Sequence, residues 1–260
     1  MTPQPGFLYI GQTRLEYRWF GLPPNERPTL VFLHEGLGCV SLWRDFPEQL
    51  FLQTGCGALV YSRAGYGKSD PAVLPRPVRF MYDEAEILGL ILEQTGIEKP
   101  ILVGHSDGAS IALIYAGGPK GSSVCGLILE APHVFTEPPG LASIAQIREV
   151  YRTTDLRQRL ARHHGDNTDI AFWGWNDIWL HPEFQAWNIE SVLPAITAPM
   201  LIIQGEADEY GTWRQVAAIQ DQSGVAVETL AIPGCGHSPH REFPDIVLNA
   251  MAGFINCFAT

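Results

Sequence analysis

Residues 101–116 constrain the possible fold more than any other part of the chain. An apolar run at 101–103 leads into Gly104, Ser106 and Gly108, and residues 109–116 then have the composition of a helix. A serine on so sharp a strand-to-helix turn must adopt a strained backbone, and the flanking glycines avoid collisions with the neighbouring strand and helix. Glycine-serine-glycine spacing alone is also common in ordinary turns, so the strand and helix on either side support the prediction that Ser106 lies above a sheet.

Two residues later in the chain are candidates to activate this serine. A serine hydroxyl is a poor nucleophile at neutral pH and needs a histidine base and an acid that orients it. Asp208 follows the apolar run at 199–204, and His237 lies in a glycine-rich loop before the last predicted helix. The chain order is therefore serine, acid, histidine.

These features, together with two further motifs, resemble the α/β-hydrolase fold superfamily over nearly the whole chain. His-Glu-Gly-Leu-Gly at 34–38 is similar to the loop that follows the third strand in this family, and the segment 61–70 is similar to the turn after the fourth. The resemblance implies an oxyanion hole built from the backbone N–H groups of Gly36 and Asp107. This sequence departs from the family pattern at Glu35, where many relatives have glycine. A carboxylate there would oppose negative charge in the oxyanion hole unless it is paired or points away.

Several assignments have alternatives. Glu130 ends an apolar strand and is the alternative acid, because some relatives place the carboxylate one strand earlier; it is otherwise a buried or site-lining carboxylate that needs a partner. Asp208 is also a candidate N-cap for the helix that begins near residue 212. His240 shows no partner signal, so a packed or solvated role is the default.

Alternating apolar runs and helical stretches predict an α/β fold, with a mostly parallel central sheet, helices on both faces and a helical cap insertion. Residues 1–132 and 199–260 are predicted to form the α/β-hydrolase core, and residues 133–198 the cap, with a Pro-Pro-Gly break at 138–140. Tryptophans are concentrated in the predicted cap. Individually they are more typical of packing, but together they suggest an aromatic substrate pocket formed by Trp173, Trp175 and Trp179.

The composition restricts the classes of molecule that this protein is expected to bind. The 260 residues carry a formal net charge of −11, which argues against nucleic acid or an anionic membrane surface and favours a small-molecule substrate. The beginning of the chain has no basic region followed by an apolar run, so we expect a cytoplasmic protein. Five cysteines without paired spacing suggest neither disulfides nor a metal site, and we expect no cofactor and no metal. The sequence does not indicate the oligomeric state.

The resemblance and the three candidate residues predict a serine-triad hydrolase that cleaves a small-molecule carboxylic ester or lactone through an acyl-enzyme. Two alternatives stay open. One is a carbon–carbon bond hydrolase acting on ring-cleavage products with the same residues, and the other is a non-catalytic small-molecule binding protein on the same fold.

Overall fold

A computed structural model describes residues 4–24 and 26–258. Eight strands form one sheet, and in chain order they are β1 (Gln4–Ile10), β2 (Thr13–Phe20), β3 (Thr29–Leu33), β4 (Ala58–Tyr61), β5 (Pro100–His105), β6 (Gly126–Glu130), β7 (Met200–Gly205) and β8 (Val227–Ile232). Their order across the sheet is β1-β2-β4-β3-β5-β6-β7-β8. β2 pairs antiparallel with β1 and β4, and every other pairing is parallel. The predicted fold class is therefore confirmed.

Nine α-helices are present among the described residues: α1 (Phe46–Thr54), α2 (Phe80–Thr95), α3 (Asp107–Ala116), α4 (Pro138–Thr153), α5 (Leu156–His164), α6 (Thr168–Trp179), α7 (Trp213–Gln222), α8 (Pro239–Glu242) and α9 (Pro244–Asn256). Short 3-10 turns occupy Val40–Trp43, Gly121–Ser123, Gly165–Asn167, Pro182–Ala186 and Glu190–Ala195. Within the described ranges, none of the helices is both long and apolar enough to cross a membrane.

The sheet separates two hydrophobic cores. Successive side chains of a strand point to opposite faces, so Val31 and Leu33 of β3 pack with α2 and α3, while Leu30 and Phe32 pack with α1 and α9. β5 lies between β3 and β6 and is completely buried. Both faces of its C-terminal end are therefore covered, which holds the turn at Ser106 in a rigid setting.

The segment between β6 and β7, called the insertion below, contains α4, α5 and α6. The division into a core and a cap at residues 133–198 stays a prediction. The predicted break at Pro-Pro-Gly is wrong, because Pro138 and Pro139 form the first turn of α4. Proline is tolerated there, since the first N–H groups of a helix have no intrahelical partner and the proline ring fixes a helical φ.

Candidate active site

Ser106 lies on the turn between β5 and α3, with φ 53° and ψ −116°. Such positive φ is rare for a residue with a side chain. The flanking glycines make the turn possible: a Cβ on Gly104 would collide with the backbone of Ala109, and one on Gly108 with the carbonyl oxygen of Leu33. The Ser106 N–H donates to the backbone carbonyl of Glu130 at 2.9 Å, which fixes the turn against the neighbouring strand.

Asp208 and His237 are in direct contact, although 29 residues separate them in the chain. His237 Nδ1 lies 2.9 Å from Asp208 Oδ1 and 3.0 Å from Oδ2. An ionised carboxylate only accepts, so the imidazole donates its Nδ1–H and leaves Nε2 available to take up a proton. Asp208 is itself held by Gln204 Nε2, which donates to Oδ2 at 2.8 Å, and by the Tyr210 N–H, which donates to Oδ1 at 2.8 Å.

Charge and burial act in opposite directions on this pair. Burial is the largest single effect and would lower the pKa of His237, but the charge and hydrogen bond of Asp208, together with the charges of Glu35 and Glu209, raise that pKa above its usual value. Burial likewise opposes ionisation of Asp208, yet His237 and the hydrogen bonds to the carboxylate lower its pKa. The carboxylate is thus ionised at neutral pH and stabilises a positively charged imidazole.

Ser106 and His237 line one cavity of about 230 Å³. Its other walls come from the loop after β3, the insertion and the loop that carries Asp208: they are Glu35, Gly36, Leu37, His133, Ile144, Trp175, Trp179, Glu209, Tyr210, Ser238 and Glu242. Asp208 lies behind His237, and its side chain is only 1% exposed. Ser106 and His237 thus face this space, and Asp208 contacts His237 from behind.

Gly36 and Asp107 hold the positions expected of oxyanion donors. Gly36 lines the cavity in the loop after β3, and Asp107 is the first residue of α3, directly after Ser106. The first N–H groups of a helix have no intrahelical partner and carry partial positive charge. Their use as donors remains a prediction.

The three tryptophans divide between two environments. Trp175 and Trp179 line the cavity, whereas Trp173 packs edge-on against Tyr151 and Phe172. The reason is the pitch of α6: residues four apart share a helix face, while residues two apart point in nearly opposite directions. Assigning Trp173 to this pocket was therefore wrong, since the spacing within one helix separates it from the other two.

Glu130 binds a different histidine from the one that binds Asp208. His240 Nδ1 lies 2.8 Å from Glu130 Oε2, the His240 N–H donates to the same oxygen at 3.1 Å, and both side chains are buried. Glu130 therefore supports the start of α8, just after the loop that carries His237. The sequence indicates that Glu130 needs a partner, but it does not identify His240, which lies 110 positions further along the chain.

His105 contacts the same loop through a hydrogen bond. Its Nε2 lies 2.7 Å from the carbonyl oxygen of His237, so an Nε2–H tautomer donates to that carbonyl. Burial lowers the pKa of His105 to about 4, which keeps the ring neutral. The residue before Ser106 thus positions the backbone of His237.

Three glutamates, Glu35, Glu209 and Glu242, give the cavity a negative lining. Glu35 lies 3.9 Å from Arg241, and although burial opposes its ionisation, nearby His105, His237 and Arg241 lower its pKa. Glu242 accepts from the N–H groups of Gly236 and Ser238 at 2.8 and 3.1 Å.

Within residues 4–24 and 26–258, no cluster of three or more His, Cys, Asp or Glu side chains is arranged to hold a metal ion.

Comparison with known proteins adds relatives of several kinds. The alpha/beta hydrolase domain-containing protein aho-3 of Caenorhabditis elegans is 24% identical over 83% of this chain, which spans only 54% of that longer protein. The 2-succinyl-6-hydroxy-2,4-cyclohexadiene-1-carboxylate synthase of Photorhabdus laumondii is 24% identical over 84% of this chain and 81% of its own length. Among solved structures, a carboxylesterase of the thaumarchaeon Nitrososphaera gargenis superposes with a TM-score of 0.77 at 19% identity, covering 97% of this chain and 98% of that one.

The family can be stated more firmly than any single relative. The model of the alpha/beta hydrolase family matches residues 30–250, an interval that begins in β3, ends in α9 and includes Ser106, Asp208 and His237. Together with the sheet order and the strained serine turn, this match shows that the chain belongs to the alpha/beta hydrolase family.

Proposed function

We propose that this hydrolase cleaves a small-molecule carboxylic ester or lactone through an acyl-enzyme on Ser106. The observation that carries the proposal is one constellation: a serine on a strained turn shares a cavity with a histidine whose Nδ1 is bound to a buried carboxylate. These are the residue types, and the histidine–carboxylate contact, that nucleophilic catalysis by a weakly acidic hydroxyl uses.

The proposed reaction has two stages, formation and hydrolysis of the acyl-enzyme. His237 Nε2 takes the Ser106 hydroxyl proton as Oγ bonds to the substrate carbonyl carbon, and the carbonyl electron pair moves to oxygen. The N–H groups of Gly36 and Asp107 stabilise that oxyanion. When the oxyanion collapses, the C–O bond to the leaving group breaks and His237 returns the proton to the departing oxygen. Water then repeats the sequence on the acyl-enzyme and releases the acid.

The charge of the cavity lining favours this proposal over the carbon–carbon hydrolase alternative. Glu35, Glu209 and Glu242 line the cavity, and none of the residues described along its walls is a lysine or arginine. Ring-cleavage products with free carboxylates would enter against this charge, because like charges a few ångströms apart repel. Neutral esters are not repelled by these carboxylates. A volume of about 230 Å³ also lies below the roughly 300–1,000 Å³ of sites for drug-sized ligands, which favours short acyl groups.

The direct test is labelling with a fluorophosphonate probe, combined with turnover of p-nitrophenyl esters. We expect the native protein to be labelled and to hydrolyse the acetate and butyrate faster than the laurate, and Ser106→Ala to lose both activities. Ser110→Ala is the matched control, because Ser110 is buried one turn along α3 and donates instead to the His133 carbonyl. Folded native protein that resists the probe would contradict the proposed nucleophile.

Substrate charge gives a second test. Between a neutral ester and the same ester bearing a carboxylate on its acyl chain, we expect the neutral one to have the higher kcat/KM. Glu209→Gln should reduce the difference in kcat/KM between the two esters, because it removes one negative charge from the cavity lining. Faster turnover of a dienoic carboxylate than of any ester would favour the carbon–carbon hydrolase, whereas tight ligand binding without turnover would favour the binding protein.

A further inference from the structure

The peptide unit between Glu35 and Gly36 is held from its carbonyl side by two donors. Arg63 Nη2 donates to the Glu35 carbonyl oxygen at 2.9 Å, and His34 Nδ1 lies 2.7 Å from the same oxygen. The Arg63 backbone N–H donates to His34 Nε2 at 3.1 Å, so the imidazole proton is on Nδ1 and points at the carbonyl. A trans peptide is planar, with its N–H directed opposite to its C=O. Fixing the Glu35 oxygen therefore fixes the direction of the Gly36 N–H.

The same guanidinium also faces the second proposed donor. Arg63 Nη2 lies 3.8 Å from Asp107 Oδ2, and the two side chains are 2% and 1% exposed. Asp107 additionally accepts a hydrogen bond at 3.0 Å from Trp179 Nε1, which belongs to the insertion. One buried cation thus contacts both segments that carry an expected oxyanion N–H.

Two electrostatic effects follow from this position. A charged donor on a carbonyl polarises the peptide and makes its N–H a stronger donor. The cation also offsets the Asp107 carboxylate, which would otherwise oppose negative charge developing beside Ser106. Both effects grow as the oxyanion forms, so they act on the transition state more than on the bound substrate.

We propose that Arg63 is a positioning residue for the oxyanion hole: it aims and polarises the Gly36 N–H and balances the charge of Asp107. This inference rests on the proposed function for its consequence in catalysis, although the aiming of the peptide can be measured without turnover.

The test compares Arg63→Met and Arg63→Lys with a control at another buried arginine. Arg76 packs over the same Tyr66 ring, with its guanidinium 5.1 Å from the centroid against 5.0 Å for Arg63, and it donates to the Ala64 carbonyl at 2.9 Å. Arg76→Met therefore removes a comparable side chain that does not hold the Glu35 peptide. If Arg63→Met does not fold, Arg63→Met combined with Asp107→Asn removes both buried charges and takes its place.

Four quantities are measured for each variant: kcat, KM, the pH dependence of kcat/KM, and the amide proton chemical shift of Gly36. Losing a whole oxyanion donor costs about 10²–10³-fold in kcat, so we expect about a 10- to 100-fold loss for Arg63→Met, with KM nearly unchanged. Arg63→Lys should recover part of the loss. The acid limb of the pH profile should stay in place, because it reports His237, and the Gly36 amide proton should shift upfield. Arg76→Met should leave the Gly36 shift and the ratio of kcat to KM as in the native protein.

The outcomes separate the two proposals. If Ser106 is labelled and esters are hydrolysed, but Arg63→Met loses no more kcat than Arg76→Met, the inference is overturned while the proposed function stands. A native protein that is neither labelled nor active overturns the proposed function, and the Gly36 shift then decides the inference alone: a shift supports it and an unmoved amide refutes it. Displacement of the acid limb in Arg63→Met would show that the substitution disturbs His237 as well as the oxyanion hole, and would also refute the inference about Arg63.

Discussion

Ser106 adopts a backbone conformation that costs free energy and is held by its surroundings. Residues in such sparsely populated regions cost on the order of 1–3 kcal/mol each. Here the Ser106 N–H donates to Glu130 and its carbonyl accepts from the Ala109 N–H at 2.9 Å, so both flanking elements enforce the turn. The hydroxyl is thereby directed at the cavity at the expense of local stability.

Replacing Ser106 by glycine and by alanine separates strain from chemistry. Both variants should be inactive, but glycine tolerates φ 53° and alanine does not. We expect Ser106→Gly to be more stable than Ser106→Ala by about 1 kcal/mol in guanidinium unfolding, once the greater chain entropy of glycine is included. Equal midpoints for the two variants would show that the turn is not strained.

The Asp208–His237 contact sets the pH dependence of activity. In the proposed mechanism His237 acts as a base only when neutral, so its raised pKa should place the acid limb of kcat/KM at a pH above the ordinary histidine value of 6.5. Asp208→Asn should lower that pKa and reduce kcat by roughly 10⁴-fold, the scale seen when a triad acid loses its charge. Profiles of kcat/KM against pH for both proteins test this.

Glu130→Gln is the matched control for this experiment, because glutamine still accepts from the His240 N–H. We expect a much smaller loss of turnover than in Asp208→Asn. The reverse order, in folded protein, would reassign the acid to Glu130.

At this scale, the sequence identifies residues whose chemistry requires a neighbour but seldom identifies the neighbour. Ser106, Asp208 and His237 could be selected because each ends or follows an apolar strand in a recognisable motif. The Glu130–His240 pair could not be predicted, since its geometry depends on how α8 returns to the end of β6.

At the scale of elements, α4 shows why glycine is needed close to the site. A Cβ on Gly140 would collide with the carbonyl oxygen of Tyr210, two residues after Asp208. The first turn of α4 can approach the loop of the candidate acid only because this side chain is absent. Proline and glycine thus begin the helix at 138–140 rather than interrupting the chain.

Alanine substitutions at two helical glycines should have opposite effects. Gly140→Ala forces α4 and the Tyr210 loop apart and should cost about 1–3 kcal/mol of stability, as overpacking does. Gly253→Ala in α9 meets nothing within 4 Å and should be neutral or stabilising by up to about 1 kcal/mol. Thermal unfolding of both variants checks the contrast, and a neutral Gly140→Ala would contradict the close approach.

The predicted elements differ in how well the pattern of apolar residues defines them. The central strands were predictable because they are continuous buried runs, as in β3, β4 and β5. The sequence does not define α6 clearly, because its tryptophans, asparagine and aspartate have no strong helix preference and its apolar residues face two directions. Packing against neighbouring elements makes this segment helical.

At the scale of the whole molecule, buried histidines link folding to pH. Burial lowers the pKa values of His105, His133 and His164 to about 4 in the folded protein. An unfolded histidine titrates near 6.5. Between these values the unfolded chain binds more protons than the folded one, so stability must fall as pH decreases.

We therefore expect the guanidinium unfolding midpoint to decrease between pH 7 and pH 5, with each of these histidines contributing roughly 1–2 kcal/mol. His105→Gln should flatten the dependence, because glutamine can still donate to the His237 carbonyl but does not titrate. The exposed His181 is the control, and His181→Gln should leave the slope unchanged. A midpoint that is constant over this range would contradict the assignment of neutral buried histidines.

The insertion leaves the sheet after β6 and returns to it at β7, and these strands are parallel neighbours, with Glu130 opposite Ile203. Its two ends are thus anchored on adjacent strands, one at the end of β6 and the other at Met200, which pairs with Leu127. Replacing this stretch would change the part of the cavity wall that contains Trp175 and Trp179, whereas Ser106, Asp208 and His237 lie outside it. On the proposed function, the residues that break the bond and part of the surface that selects the substrate thus lie in different stretches of the chain, in which substitutions can accumulate at different rates.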